Sequence, residues 1–328
     1  MSRLLKYKES INKFIKERSL IADKYENTNQ ELNKYIYELR DTDLILSIIF
    51  LTIMNSQNKK NNILLQGYYG ASCIEFLKII INLIDNKQKF INKYDINIYY
   101  KIINYLSICS IYTINQNIES IKSSISKEKL ADIFLNINEV YNNSVNYNNI
   151  LSEINIIYSD EKPNNNLIKW YIKDNILLKN KFIKIKKIKK EIYMEYLNKK
   201  IIKLSELTFS IAWILGCGNI DDLNKIKKLG THFGYIYKLT IDFNTLEDEL
   251  LNLDNEYSLN YIINYGLQEA YEEFMNHKQK FIEDAMMLDV YSITIKELLS
   301  YIENRVDIII DQTSPDIRST YSSMKKIN

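Results

Sequence analysis

Seven glycines and two prolines in 328 residues leave this chain few places to turn sharply. Glycine supplies the backbone conformations that tight turns need, and proline presets corners and stops helices. A sandwich or barrel that reverses about every ten residues would consume both in quantity. A collagen-like or Pro/Gly-rich disordered chain is excluded outright. A doubly wound nucleotide-binding fold is disfavoured as well, because its phosphate loops use clustered glycines. What remains is a chain of long helices. Hydrophobic residues make up 46% and charged residues 26%, enough to bury a full core.

Charge and cysteine usage narrow the chemistry. Lys and Arg number 43 against 41 Asp and Glu, so the formal net charge is +2. The lysine-rich run Asn180–Lys190 reads as a solvated helix face, with phosphate binding as the sharper alternative. Near-zero net charge and the lack of a basic–aromatic motif argue against a nucleic-acid partner. Cys73, Cys109 and Cys217 lie far apart with no CxxC pairing, and His232 and His277 are the only histidines. A Cys/His zinc site and a His-based triad are therefore poor expectations, and the cysteine usage suits a reducing compartment. The first residues, MSRLLKYKESINKFIKERS, carry charges throughout, unlike a secretory leader. The most apolar stretch, Leu44–Met54, is too short to span a bilayer. These features predict a soluble, cytoplasmic protein without a transmembrane segment. Abundant Ile, Asn, Lys and Tyr suggest a coding bias towards A and T, which weakens any argument from charge runs.

Periodicity supports helices along the chain. Ile262, Leu267, Ala270, Phe274, Phe281, Ala285 and Leu288 recur at three-to-four spacing, and Leu298, Leu299, Ile302, Val306 and Ile309 repeat the pattern. Breakers fall at Asn55–Asn62, Asn142–Asn149, Ser159–Asn166, Gly216–Asp222, Leu253–Ser258 and Thr313–Pro315. Residues 1–328 are thus expected to form a single all-α domain of about ten to twelve helices, with almost no sheet. No repeat of fixed period is visible, which disfavours a solenoid. Tyr68-Tyr69, Tyr99-Tyr100, Trp170 and Trp213 read as interior packing, Cys109 as a small buried hydrophobe, and His232 as structural. Asp221-Asp222 reads as a cap for the next helix.

From about Tyr196 to Arg305 the order of features becomes distinctive. LNKKIIKLSEL leads into FSIAWILGCG, and then into NIDDLNKIKKLGTHFGYIYKLTIDFNTLEDE. YIINYGLQEAYEEFMNHKQKFIEDAMMLD and ITIKELLSYIENR come after them. This order resembles the C-terminal half of the trans-prenyl diphosphate synthases (polyprenyl synthetases). The resemblance implies an isoprenoid-synthase-like helical bundle around a central cavity. It places Lys203 at the family lysine, Gly230 and Gly234 at the glycine pair, and Tyr237–Thr245 at the second aspartate-rich segment. Upstream, Lys59–Leu65 falls at the first substrate loop and Tyr105–Glu119 at the first aspartate-rich helix. In the family, carboxylates on facing helices hold Mg²⁺ against a diphosphate, and lysines and arginines clamp its oxygens.

The sequence departs from this pattern where the chemistry resides. Ile111–Glu119 keeps one carboxylate, Glu119; Asn115 is a neutral, weaker ligand, and Lys122 is the nearby cation. In Ile241-Asp242-Phe243-Asn244-Thr245 the outer aspartates are Ile and Thr, and Asn62 stands at the loop arginine position. Asp242, Thr245 and Glu249 still share one helix face, which fits a reduced metal motif or an ordinary polar surface. The candidates are Lys59, Lys60 and Lys203 for diphosphate, and Glu119, Asp242 and Glu249 for metal. The leading expectation is a catalytically inactive or impaired protein, structural or regulatory, forming a homodimer or a heterodimer with an active prenyl synthase and needing no cofactor. One alternative is an active, Mg²⁺-dependent trans-prenyltransferase with an unorthodox metal site. Another is a helical protein that holds an isoprenoid or lipid without chemistry.

Overall fold

A computed structural model describes residues 3–20, 26–39, 43–61, 65–163, 176–251 and 256–313. Among these residues there is no β-strand, and one isolated antiparallel bridge joins Tyr158 to Ile188. The first half contains α1 (Arg3–Phe14), α2 (Glu26–Leu39), α3 (Ile45–Lys60), α4 (Tyr68–Asp85), α5 (Lys87–Lys93), α6 (Ile96–Ile121) and α7 (Lys127–Ser144). The second half contains α8 (Ile176–Ile183), α9 (Lys190–Leu197), α10 (Lys203–Leu215), α11 (Leu223–Leu251), α12 (Tyr261–Tyr265), α13 (Leu267–Met287) and α14 (Ile293–Thr313). The expected ten to twelve helices are exceeded only by short pieces, since α5, α8 and α12 have 7, 8 and 5 residues.

The middle of the bundle is α10. Every residue from Leu204 to Leu215 except Glu206 is buried, as a helix that is apolar all round requires. It packs against α3, α4, α7 and α11. The stretch from Ile45 to Met54 is buried throughout and forms most of α3, an interior helix. No helix of the described residues is long and apolar enough to cross a membrane. Interlocking rings from α10, α11 and α13, namely Phe209, Phe233 and Phe281, sit 5.4–6.1 Å apart and fill the core between them.

The long α11 approaches the α9–α10 rod closely because of its glycines. A Cβ on Gly230 would lie 2.8 Å from the Cα of Glu206, and one on Gly234 would lie 3.0 Å from the Cα of Ile202. The four-residue spacing puts both on one face, where the glycine pair lets the two rods pack closely. Trp213 and Cys109 are buried as expected. Asp95, Ser126 and Asn260 cap α6, α7 and α12 through their side chains.

Several local expectations change. The pattern from Ile262 to Leu288 is broken at Gly266, whose φ of 101° ends α12 and starts α13. Asn55–Asn62 does not break α3 until Asn61, because tertiary contacts satisfy its asparagines. Asn58 donates to Leu65 O at 2.9 Å, and Asn61 donates to Gly216 O and Cys217 O at 3.1 and 3.0 Å. The lysine-rich run is a helix only as far as Ile183. Beyond it Ile185 and Ile188 turn inward, while Lys186, Lys187 and Lys190 pair with Glu256, Glu161 and Glu269. Before α11, the side chain that accepts a backbone N–H is Asn219, and Asp222 pairs with Lys225 instead. Tyr99 is buried, but Tyr100 is 49% exposed. Trp170 and Asn62, and the end of the Thr313–Pro315 breaker, lie outside the described residues.

Candidate functional site

Asp242 sits in the interior face of α11, with 0% of its surface exposed. Lys238, one turn earlier, reaches its Oδ1 at 2.5 Å and also donates to Leu259 O at 2.8 Å. The backbone N–H of Tyr261 donates to Oδ2 at 2.9 Å, and the Tyr193 hydroxyl stands 3.5 Å from the same oxygen. Burial pushes the carboxyl from 3.8 up to about 6, with the Lys238 ammonium pulling the other way. Asp242 is thus a buried ion-paired acid with both oxygens engaged.

The neighbouring acids on this face are engaged too. Glu249 accepts from Thr245 Oγ1 and from Ser258 Oγ, each at 2.8 Å. The Asn260 amide donates to Asp242 O at 2.9 Å and to Glu249 Oε1 at 3.4 Å. The i, i+3, i+7 face therefore clamps residues 256–261 onto α11. Asn244, inside the same motif, accepts from Arg305 Nε at 3.1 Å, and Arg305 also pairs with Asp43 at 2.5 Å. That arginine, carried by the last helix, ties α14 to α11 and to the start of α3.

A second acid faces this cluster from α4. Asp85, the last residue of that helix, accepts from the Tyr196 hydroxyl at 3.1 Å, and Lys200 Nζ lies 3.9 Å from its other oxygen. Lys200 is 0% exposed, and its Nζ makes no hydrogen bond. Burial raises the Asp85 carboxyl and lowers the Lys200 ammonium, and each partner's charge opposes the shift in the other. Lys238 adds its charge to the field at Asp85, and Tyr196 feels both Asp85 and Asp242. Asp85, Lys200, Lys238 and Asp242 thus form one buried polar cluster of two acids and two ammonium groups. Balanced charge is the condition under which such groups survive burial.

The π-turn at Asn198–Ile202 sets which lysines reach this cluster. A π-turn adds a residue to the helical repeat and rotates the next turn of helix about the axis. Lys200 points inward, whereas Lys203 pairs with Glu206 at 2.7 Å, and Glu206 also accepts from Thr231 at 2.9 Å.

The sequence-based candidates are distributed unevenly around this cluster. Asp242 and Glu249 lie on one face, where the Asn260 amide donates to the backbone carbonyl of Asp242 and to the carboxylate of Glu249. Glu119 lies on the exposed face of α6 and pairs with Lys122. Lys59 is exposed. Lys60 donates to Leu288 O at 3.1 Å and approaches Asp289 at 3.3 Å. From the Ile111–Glu119 stretch, Asn117 enters the interior, where it accepts from Gly70 N and donates to Gln66 O. Three residues of the cluster were not singled out by the sequence: Asp85, Lys200 and Lys238. An acid closing an apolar helix and a lysine four residues before Asp242 were the available signals. Lys200 had none, because the π-turn decides its direction. Among the described residues no group of three or more His, Cys, Asp and Glu side chains is placed to hold a metal ion.

No protein-family model matches the sequence. No curated protein matches it either. Solved structures do match the fold. A geranyltransferase from Helicobacter pylori 26695 superposes with a TM-score of 0.56 at 13% identity, over 93% of this chain and 99% of that one. A Helicobacter pylori geranyltransferase complexed with magnesium and isoprenyl diphosphate gives 0.55 at 14%, over 93% and 97%. A Legionella pneumophila geranyltransferase gives 0.56 at 12%, over 93% and 95%. At such identities the shared property is the fold: this chain has the all-α isoprenoid-synthase fold of the trans-prenyl diphosphate synthases.

Proposed function

We propose that this prenyl-synthase-like chain is a non-catalytic protein that acts as a structural or regulatory subunit, paired with itself or with an active prenyl synthase. The observation that carries this reading is the Lys238–Asp242 ion pair in the interior, at 2.5 Å. A Mg²⁺ site needs carboxylate oxygens free to coordinate a hard cation alongside water and phosphate. Here one oxygen of Asp242 holds an ammonium group and the other holds a backbone N–H. Asp85 is likewise held by Tyr196 and faces Lys200. The donor set is one that has accepted lysines as its cations, and it does not suit Mg²⁺. Glu119, the third member of the unorthodox set, is exposed and paired with Lys122, which supports the same reading. Lys203, the family-position lysine, is neutralised by Glu206.

Pairing is supported by apolar exposure on two helices. Ile108 and Ile111 of α6 are 57% and 52% exposed, and Phe134 and Leu135 of α7 are 46% and 65% exposed. Exposed apolar side chains of this kind are what an association surface would use, and they support the pairing reading.

The test is incubation of the purified chain with dimethylallyl or geranyl diphosphate, isopentenyl diphosphate and Mg²⁺. No prenyl product is expected. Product formation abolished by Asp242→Ala would overturn the reading. Light scattering of the wild type and of Leu135→Asp tests the pairing surface, with a drop in mass expected for the variant.

A further inference from the structure

His232 and His277, the only histidines in the chain, meet where α11 packs on α13. Their Nδ1 atoms are 3.0 Å apart. The opposite nitrogen of each ring faces a carboxylate. His232 Nε2 is 3.6 Å from Asp284 Oδ2, and His277 Nε2 is 3.5 Å from Glu273 Oε2. Tyr235 stacks flat on the His277 ring, with centroids 3.8 Å apart and planes inclined by 13°. The His277 ring is therefore held in orientation by Glu273 and Tyr235.

Glu273 favours a proton on His277 Nε2, which leaves a lone pair on His277 Nδ1 facing the His232 ring. A proton on His232 Nδ1 closes the contact as a hydrogen bond, and a metal cation that displaces this proton can take both Nδ1 lone pairs. One ring nitrogen held by a carboxylate with the other free to ligate is the arrangement that orients metal-binding histidines. The separation also fits: nitrogens ~2.0–2.1 Å from one ion reach 3.0 Å apart at roughly a right angle.

We propose that the His232–His277 pair binds a divalent transition-metal ion of imidazole preference, such as Zn²⁺, Cu²⁺ or Ni²⁺, through the two Nδ1 atoms, with water completing the coordination. The two side chains are 10% and 12% exposed, so the pair lies just below the surface. Lys228, 64% exposed beside Asp284, marks the open edge. The surrounding charges are Asp284, Glu273 and Lys280 on α13, Lys228 on α11, and Lys190 near Glu273. The site belongs to the α11–α13 contact and is independent of the Asp85–Asp242 cluster. Mg²⁺, which prefers oxygen ligands, is not expected there.

The full chain, stripped of metal by chelation, is titrated with Zn²⁺, Cu²⁺ and Mg²⁺ by calorimetry, and the Cu²⁺ form is read by electron paramagnetic resonance. One Zn²⁺ or Cu²⁺ per chain, nitrogen hyperfine structure and no Mg²⁺ uptake are expected. His277→Ala should weaken binding at least tenfold, with helical content preserved by circular dichroism. Where that variant does not fold, Glu273→Gln serves instead, and loss of the carboxylate behind the ligand should weaken binding about tenfold. The proposal is overturned by absent uptake, by uptake unchanged in the variant that folds, or by nitrogen NMR that shows one proton shared between the Nδ1 atoms and undisturbed by excess Zn²⁺.

Discussion

Glu119 on α6 and Asp242 on α11 carry the acids of the two motifs that the sequence suggests, and their surroundings are opposite. Glu119 stands in solvent beside Lys122, two residues from the end of its helix. Asp242 is enclosed, with Lys238 on one oxygen and Tyr261 N–H on the other. An exposed pair gains little, because water screens it and two side chains must be ordered to form it. A buried pair is held by the cost of separating it: removing either partner leaves a charge in a medium that solvates it poorly. A carboxylate thus serves a surface in one helix and the integrity of the interior in the other.

Removing the Lys238 charge would break this comparison most severely. Lys238→Met strands Asp242, and a loss of about 3–5 kcal/mol is expected in urea unfolding. Lys238→Met combined with Asp242→Leu should recover much of it. A single-variant loss under about 1 kcal/mol would mean that the acid reaches solvent. Next in size is Gly230→Ala. The added methyl meets the Glu206 backbone at 2.8 Å, so α11 must shift, and thermal unfolding should register about 1–3 kcal/mol of destabilisation.

The pH dependence sharpens the contrast. The folded-state carboxyl of Asp242 is raised from 3.8 to about 6, so the folded chain holds this proton more tightly than the unfolded one. Its contribution to stability is present below the ordinary carboxylate range and is lost as pH rises through about 6. Between pH 7 and pH 5 the wild type should therefore gain stability relative to Asp242→Asn. A pH-independent difference between the two would contradict the burial. Smallest is Glu119→Gln, expected within about 0.5 kcal/mol of the wild type at any salt concentration.

Much of the fold was legible in the sequence. Scarce glycine and proline predicted helices, and three-to-four spacing predicted the buried faces of α13 and α14, where Phe274, Phe281, Ile302 and Val306 are enclosed. Both are local properties of a helical backbone. Gly266 was missed because an apolar pattern continues across it, and only its positive φ reveals the break. The lysine-rich run was misread because its isoleucines fit either a helix or an extended chain. Its partners, Glu161 and Glu256, lie 26 and 70 residues away.

The candidate site was legible only in part, for the same reason. Asp242 and Glu249 could be placed on one face because their spacing is a helical property. Asp85 could not be matched to Asp242 across 157 positions, nor could His232 to His277 across 45.

Sequence alone determined the helices, their apolar faces and the placing of Gly230 and Gly234 on one face, since each depends on residues within a few turns. Tertiary structure decided what the remaining acids are for. A carboxylate's role depends on its solvent and its partners. Those are set by which helix ends meet: α4 brings Asp85, the π-turn brings Lys200, and residues 256–261 close over Asp242.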